Sequence, residues 1–377
     1  MIYLDGAATY PVLPCVKKAI KDALDSDFGN ASALHSPGVK AKNLIEDARE
    51  NIAKLIGAKP SEIIFTSGGS ESNNTIIHTF KNQNIAISAI EHPSVLEPAK
   101  KYAKNLTLLP VNEQGIVKNF KNKNFNLVSI MLANNELGTI EPLEKLFKTK
   151  PKNCYFHSDL TQALGKIKID VKKLNLDYAT ISSHKLGGPI GIGAIYVKEG
   201  VPFTPLIFGG HQEKGKRAGT YPTVQIAGFK AAVDFTLKNK TWEVYNQRVL
   251  KLRNELASRI LKEVPFSSLN TDSENSLPNI LNVSFQAAEG ESIQLYLDLK
   301  KGVVVSTGSA CASGNGSPSH VIMATRNDAE VAHSSIRFSL TLNTRKKDID
   351  SVMQVLPEII KDLQSISTIK TKEQNGR

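Results

Sequence analysis

Long apolar runs are missing from this sequence, and so is an export signal. No stretch approaches the roughly 18 consecutive apolar residues that a membrane-spanning helix needs. The N-terminus, MIYLDGAATYPV, has no basic segment followed by an apolar one, the pattern that is typical of secreted proteins. Both absences argue against a membrane or exported protein and favour a cytoplasmic location.

Cysteine is scarce, with only three residues in a chain of 377: Cys15, Cys154 and Cys311. They are odd in number and widely spaced, so a disulfide framework is not expected. No pair of them has the spacing of metal ligands, and the sequence predicts no metal site. Cys154 begins the apolar run CYF and is interpreted as a small core residue.

Acidic residues are fewer than basic ones, and the formal net charge is +11. The lysines are scattered and mixed with asparagines, as in KNFKNKNFN at 118–126, without the interleaved aromatics of a nucleic-acid groove. We therefore interpret the charge as a solvated basic surface and do not expect direct nucleic-acid binding. A hydrophobic content of 41% indicates a globular protein, and the length suggests two or three domains.

Apolar strand-like runs alternate with helical patterns through the first half of the chain. The runs are IIF at 63–65, IAISAI at 85–90, LVSIMLA at 127–133, YFHSD at 155–159 and ATIS at 179–182. Several of them lead into a short polar cluster. In an open, mainly parallel α/β sheet the carboxyl ends of the strands meet at one edge, so we expect these clusters to converge on a ligand.

The first of these turns has the features of an anion site. TSGGSESNN follows a strand and opens a helix, so free backbone N–H groups and the helix dipole point at the turn. Gly68, Gly69 and Ser70 would hold a single phosphate there. The spacing matches neither GxGxxG nor GxxxxGK[ST], so neither a dinucleotide nor a nucleoside triphosphate is favoured.

The stretch SSHKLGGPIGIGAIYV, residues 182–197, places Lys185 on a glycine-rich loop beside a strand. A lysine in such a loop is usually a solvated charge. A desolvated lysine amine can instead form a Schiff base with a carbonyl compound. From the loop alone the solvated charge is the favoured interpretation, and groups for a phosphate, a pyridine nitrogen and a reacting atom must be supplied by other stretches before the Schiff-base lysine is preferred.

The second half of the chain predicts a smaller α+β unit. Strand-like text at 280–285, 303–306 and 335–340 follows a helical stretch at 242–262, and a closing helix from 346 is expected to kink or break at Pro357. Between two of these strands lies STGSACASGNGSPSH, residues 306–320. It is either a linker with an incidental cysteine or an arm that presents the Cys311 thiol.

Taken together, eight ordered blocks resemble the NifS/IscS-type cysteine desulfurases of the class V aminotransferase group. The blocks, which run over nearly the whole chain, are FTSGGSESNN, EHPSV, ANNELG, HSDLTQALGK, SSHKLGGPIGIGAIYV, GGHQEKGKRAGT, STGSACASG and AHSSIRFSL. The resemblance implies an α/β protein of fold type I of the pyridoxal phosphate (PLP)-dependent transferases. Such a protein would have a large domain, residues 13–240, with a mainly parallel seven-stranded sheet. Residues 1–12 and 241–377 would form the small α+β domain that carries the cysteine loop at about 306–320.

The resemblance also implies roles for individual residues. Lys185 would bind PLP as a Schiff base, His92 would stack over the ring, and Cys311 would accept the sulfur. The other implied contacts are Asp159 to the pyridine nitrogen, Gln162 to the ring oxygen, Gly69, Ser70, Ser182 and His184 to the phosphate, Thr220 to the phosphate in the neighbouring subunit, and Asn135 with Arg337 to the substrate carboxylate.

The activity that the resemblance implies is removal of sulfur from L-cysteine. The products would be L-alanine and a persulfide on Cys311, in a homodimer that passes the sulfur to an iron–sulfur scaffold or a tRNA-thiolation carrier. Many relatives carry an SPLW-like C-terminal segment that helps to dock the scaffold, and the text after Asp362, LQSISTIKTKEQNGR, does not contain it. Another class V PLP enzyme, a selenocysteine lyase or an aminotransferase, remains the alternative because it would not depend on Cys311.

Overall fold

A seven-stranded mixed sheet forms the centre of the larger part of the molecule. The computed structural model describes residues 1–26, 29–118, 120, 124–149, 151, 153–308 and 317–368. The strands of this sheet are β2 (Ile63–Thr66), β3 (Asn84–Ser88), β4 (Asn105–Leu109), β5 (Leu127–Ser129), β6 (Tyr155–Asp159), β7 (Tyr178–Ser182) and β8 (Gly193–Val197). Their spatial order is β2-β8-β7-β6-β5-β3-β4.

Only β8 runs against its neighbours in this sheet. It pairs antiparallel with β2 and β7, while β3 with β4, β3 with β5, β5 with β6, and β6 with β7 are parallel pairs. Every residue of β7 and β8 is buried. Strands that are covered on both faces have continuous apolar sequences, which is why β7 and β8 could be predicted from the sequence.

Helices pack around the sheets, and one of them begins at the glycine turn after β2. The helical segments are α1 (Pro14–Ser26), α2 (Ser36–Ile56), α3 (Gly69–Thr79), α4 (Pro93–Tyr102), α5 (Leu143–Leu146), α6 (Thr223–Asn239), α7 (Thr241–Val244), a π-helical turn (Tyr245–Val249), α8 (Leu250–Glu263), α9 (Gly290–Lys301), α10 (His320–Arg326), α11 (Ala329–His333) and α12 (Lys346–Ile366). Within the described residues, no helix is long and apolar enough to cross a bilayer.

The chain ends meet in two smaller sheets. An antiparallel sheet of order β12-β13-β10-β9 contains β9 (Ser267–Leu269), β10 (Ile280–Phe285), β12 (Ser306–Thr307) and β13 (Ser335–Ser339). Beside it, β1 (Ile2–Tyr3) pairs in parallel with β11 (Val303–Val304). The first residues of the chain are therefore held by strands that come some 300 residues later.

Three local expectations differ from the structure. The run 127–133 is a regular strand only to Ser129; beyond it Ile130 and Leu132 still donate to backbone oxygens of β6, while the Met131 N–H donates to Glu91 Oε1 at 2.7 Å. Strand β4 was not predicted, since much of it is exposed. Helix α12 continues through Pro357 without a break, and its buried apolar face extends from Ile349 to Leu363 on both sides of the proline.

Candidate active site

Four of the polar clusters that follow β3, β5, β6 and β7 meet around one cavity of about 340 Å³. The predicted site residues that line it are Gly69, Ser70, His92, Asn135, Asp159, Gln162, Ser182, His184, Lys185 and Arg337. The expected convergence at the carboxyl ends of the strands is thus confirmed. Of the other predicted residues, Thr220 is not among those that line this cavity, and Cys311 lies outside the described residues.

Lys185 lies at the end of the short 3₁₀ turn that follows β7. Its Nζ donates to the backbone oxygens of Ala7 at 2.5 Å and Ala8 at 2.6 Å, both of which line the cavity. The N-terminal segment therefore points the amine into the cavity. An amine held this way on the wall of a cavity can bind a carbonyl carbon or carry a proton.

Lys166 lies directly behind this lysine and is almost fully buried. Its Nζ donates to the backbone oxygen of Lys185 at 3.1 Å. Burial, with a smaller contribution from the Lys185 charge, lowers the pKa of Lys166 from 10.5 to about 7. Burial, together with the charges of both lysines, lowers the pKa of His184 to about 4, so this imidazole is neutral at physiological pH.

Asp159 and Gln162 present hydrogen-bonding groups from the end of β6. Asp159 Oδ1 accepts from the Thr161 N–H at 2.9 Å, and Oδ2 accepts from Asn73 Nδ2 at 2.8 Å. These two donors fix the orientation of the carboxylate. Gln162 Nε2 donates to Ala7 O at 2.9 Å, whereas its Oε1 is buried and has no partner within the described part of the chain.

A phosphate fits the turn between β2 and α3. Gly68 has φ +151°, a conformation that favours glycine, and Gly69 begins α3, whose N–H groups and dipole attract an anion. The turn packs tightly against β8, because a Cβ atom on Gly193 would lie 2.8 Å from Gly68 Cα. A ring with a phosphate, a basic nitrogen and an oxygen substituent would meet this turn, Asp159 and the orphan Gln162 Oε1. The residues present fit such a group.

His92 precedes α4 and caps its N-terminus. Its Nδ1 accepts from the Ser94 N–H at 3.1 Å and lies 2.8 Å from Ser94 Oγ. Burial lowers its pKa, although the Asp159 charge opposes the shift. A neutral ring whose Nδ1 accepts carries its proton on Nε2.

Arg337, on β13, is buried at the cavity wall. Its Nη1 donates to the backbone oxygen of Asn135 at 2.8 Å and its Nη2 donates to Asp5 Oδ1 at 2.8 Å. Its Nε is buried and has no partner among the described residues. The guanidinium is thus already held by the N-terminal segment, and Asp5 was not predicted from the sequence.

Thr220 lines a separate cavity of about 240 Å³ with residues that include Ser67, Gly191 and Arg217. This placement leaves its expected contact with a neighbouring subunit a prediction. Cys311 lies outside the described residues. Of the residues that flank it, Ser319 donates from Oγ to Glu136 Oε2 at 2.5 Å, and a Cβ on Gly308 would lie 2.5 Å from the same oxygen.

Sequence reasoning missed several residues of this site: Asp5, Asn73, Ser94, Glu136 and Lys166. Four of them stand inside the motif blocks FTSGGSESNN, EHPSV, ANNELG and HSDLTQALGK. Their position next to recognised residues was the available signal. The sequence could not indicate that these polar side chains turn inward.

The comparisons with known proteins agree with this geometry. The family model described as aminotransferase class-V matches residues 2–352. A cysteine desulfurase IscS from Dictyoglomus turgidum is 44% identical over 384 aligned positions, covering 98% of this chain and 97% of that protein.

Solved structures show the same architecture. A NifS-like protein from Rickettsia africae has a TM-score of 0.87 at 37% identity, covering 96% of this chain and 99% of that one. A structure described as SspA in complex with cysteine has a TM-score of 0.77 at 33% identity, covering 90% and 99%. The expected fold type I is confirmed. The chain belongs to the aminotransferase class-V family and, within it, to the NifS/IscS-type cysteine desulfurases, which are PLP-dependent enzymes.

Proposed function

We propose that this protein removes sulfur from L-cysteine and holds it as a persulfide on Cys311. L-cysteine and the Cys311 thiol give L-alanine and the enzyme persulfide, so that the C–S bond of the substrate is replaced by an S–S bond on the enzyme. The observation that carries the proposal is the cavity in which Lys185, Asp159 and the orphan Gln162 Oε1 face one another. The name of the Dictyoglomus relative and the cysteine bound to SspA support the substrate.

Three groups of residues would hold the cofactor. The turn at Gly69 and Ser70, with Ser182 and His184, would bind its phosphate, Asp159 would hold the ring nitrogen protonated, and Gln162 would bind the ring oxygen. Lys185 would bind its carbonyl carbon. When bound, PLP supplies an electron sink that makes the substrate α-proton acidic and stabilises the charge left when a proton is removed.

Lys185 is the group that would move protons. Its Nζ would take the proton from the substrate Cα, and the Ala7 and Ala8 oxygens, 2.5 and 2.6 Å away, hold it at the cavity wall. His92 would stack on the ring and exchange a proton through Nε2. Arg337 would bind the substrate carboxylate by its guanidinium, next to Asn135, and so orient the Cα–H bond.

The remaining features belong to the assembly. We propose a homodimer in which Thr220 contacts the phosphate bound by the partner subunit, and a division into a large domain, 13–240, and a small one, 1–12 with 241–377. The parallel pairing of β1 with β11 supports the second part of this division. The persulfide sulfur would pass, in the cytoplasm, to an iron–sulfur scaffold or a tRNA-thiolation carrier protein.

The competing function is that of another class V enzyme, a selenocysteine lyase or an aminotransferase. It would need the same lysine and aspartate but not Cys311. The test is the variant Cys311→Ala, with Cys15→Ala as the matched control, because Cys15 is half-buried and lies outside the cavity.

We expect Cys311→Ala to bind PLP with unchanged absorbance and to lose sulfide release from L-cysteine, while Cys15→Ala keeps it. Incubation of the wild type with PLP and L-cysteine, without reductant, should add the mass of one sulfur atom, mapped to Cys311. Full turnover of L-cysteine by Cys311→Ala would contradict the proposal and favour the alternative.

A further inference from the structure

A chain of hydrogen bonds connects Asp159 to His92 through two side chains that carry no assigned role. Asn73, on α3, is fully buried, and its Nδ2 donates to Asp159 Oδ2 at 2.8 Å and to Ser94 Oγ at 2.8 Å. Ser94 Oγ in turn lies 2.8 Å from His92 Nδ1. Elements that are separate in the chain, α3, α4 and β6, thus meet in one polar unit at the wall of the cavity.

The direction of each bond follows from the chemistry of the groups. A carboxylate only accepts, so the Asn73 atom that faces Asp159 is the nitrogen, which only donates. Ser94 Oγ therefore accepts from Asn73, and its own hydrogen is free to point to His92 Nδ1. That nitrogen also accepts the Ser94 N–H. Both donors require an unprotonated Nδ1.

The orientation of the Asn73 amide leaves one of its own polar atoms without a hydrogen bond among the residues that the structure describes, which indicates a specific role for its two N–H groups. Asn73 Oδ1 is buried and has no partner in the described residues, while both N–H groups are used. A buried unsatisfied acceptor is unfavourable. The amide thus keeps the one orientation that serves Asp159 and Ser94 at the expense of its own carbonyl.

We propose that Asn73 is a positioning residue, which fixes the Asp159 carboxylate with one N–H and orients the Ser94 hydroxyl toward His92 with the other. The carboxylate that would bind the ring nitrogen and the imidazole that would stack on the ring are then held in one hydrogen-bonded unit. This inference rests on the proposed roles of Asp159 and His92. The charged and titratable groups that face His92 are Asp159 on β6, Lys185 after β7 and His320 on α10.

The test uses two measurements, the dissociation constant of PLP and the pKa of His92 in the PLP-free protein by NMR of labelled histidine. The variants are Asn73→Ala, Ser94→Ala and the double variant. Asn74→Ala is the matched control, since Asn74 is the next residue of α3 and donates to the Ser70 and Ser94 backbone oxygens, not to Asp159. His92→Gln assigns the signal.

We expect Asn73→Ala to weaken PLP binding by about tenfold, because one hydrogen bond to a charged group is lost. The pKa of His92 should rise by roughly half a unit to one unit in Asn73→Ala and in Ser94→Ala, because each weakens a bond to the neutral ring. The double variant should show no larger rise than Ser94→Ala. Asn74→Ala should change neither quantity.

Asn73→Asp keeps the side-chain volume in case the alanine variant does not fold. Its carboxylate would face Asp159 and accept the Ser94 hydroxyl, so it should weaken PLP binding and raise the pKa of His92 more than alanine does. The inference would be overturned if Asn73→Asp left both the PLP dissociation constant and the pKa of His92 unchanged. It would also be overturned if the rises in the His92 pKa from Asn73→Ala and Ser94→Ala added up in the double variant. If Asp159→Asn itself leaves PLP binding intact, the proposed role of Asp159 fails instead.

Discussion

The amine of Lys166 donates to the backbone oxygen of Lys185 at 3.1 Å, and no carboxylate of the described residues pairs with it. A buried cation without a counter-ion is unfavourable in its charged form. The residue that carries the reacting amine is therefore held from behind by a second amine that loses its proton readily.

The first prediction concerns stability and pH. Since the pKa of Lys166 is about 7 in the folded protein and 10.5 is its ordinary value, the unfolded chain binds more protons between these pH values. The free energy of unfolding should then increase with pH across this window. Lys166→Met should flatten the rise, measured as Tm of the PLP-free protein from pH 7 to pH 10. A slope equal to that of the wild type would contradict the assignment.

The second prediction concerns the buried ion pair of Arg49 with Glu213. Arg49 Nη2 lies 2.7 Å from Glu213 Oε1, and the carboxylate also accepts from the Phe65 N–H at 2.8 Å. Arg49→Ala leaves this carboxylate buried and should lower the free energy of unfolding by about 3–5 kcal/mol. The surface pair of Lys59 with Glu199 is the control, and Lys59→Ala should lower the free energy of unfolding far less than Arg49→Ala does, because solvent screens an exposed pair. Urea unfolding measures the free energy of unfolding of both variants, and an equal loss in Arg49→Ala and Lys59→Ala would contradict this prediction.

The third prediction concerns the phosphate turn. A Cβ on Gly193 would lie 2.6 Å from Ile181 O and 2.8 Å from Gly68 Cα, so Gly193→Ala must displace the backbone of the turn. PLP affinity should fall by roughly tenfold or more, since the anion depends on the position of these N–H groups. Gly200→Ala is the control: it has φ +82° but open space around it, so it should strain the backbone without weakening PLP binding. Absorbance titration of the apoprotein gives both constants.

The fourth prediction concerns Ser319, which follows the segment that contains Cys311. Its hydroxyl donates to the buried Glu136 carboxyl, whose pKa is raised by burial and lowered in part by this bond. Ser319→Ala should slow persulfide formation several-fold and leave the PLP dissociation constant unchanged. Ser317→Ala removes an exposed hydroxyl nearby and should do neither. Weakened PLP binding in Ser319→Ala would show that the contact supports the whole site.

The sequence predicted the convergence of the strand ends because buried parallel strands have a pattern that is visible without the structure. It also located Lys185, Asp159 and Gln162, since each stands at such an end. It could not identify Asn73 or Lys166, because the sequence does not distinguish a buried amide or amine from a solvent-exposed one. Asp5 was missed for another reason: it meets Arg337 across 332 positions of sequence, and no local pattern encodes that contact.

The same contact has a consequence for how the protein is made. Asp5, Ala7 and Ala8 supply oxygens to Arg337, Gln162 and Lys185, so residues translated early complete a wall that also needs a residue translated 332 positions after Asp5. A nascent chain that has not reached Arg337 therefore lacks the full cavity, however well its large sheet has formed. Capture of the cofactor in its final geometry must await synthesis of the chain through Arg337.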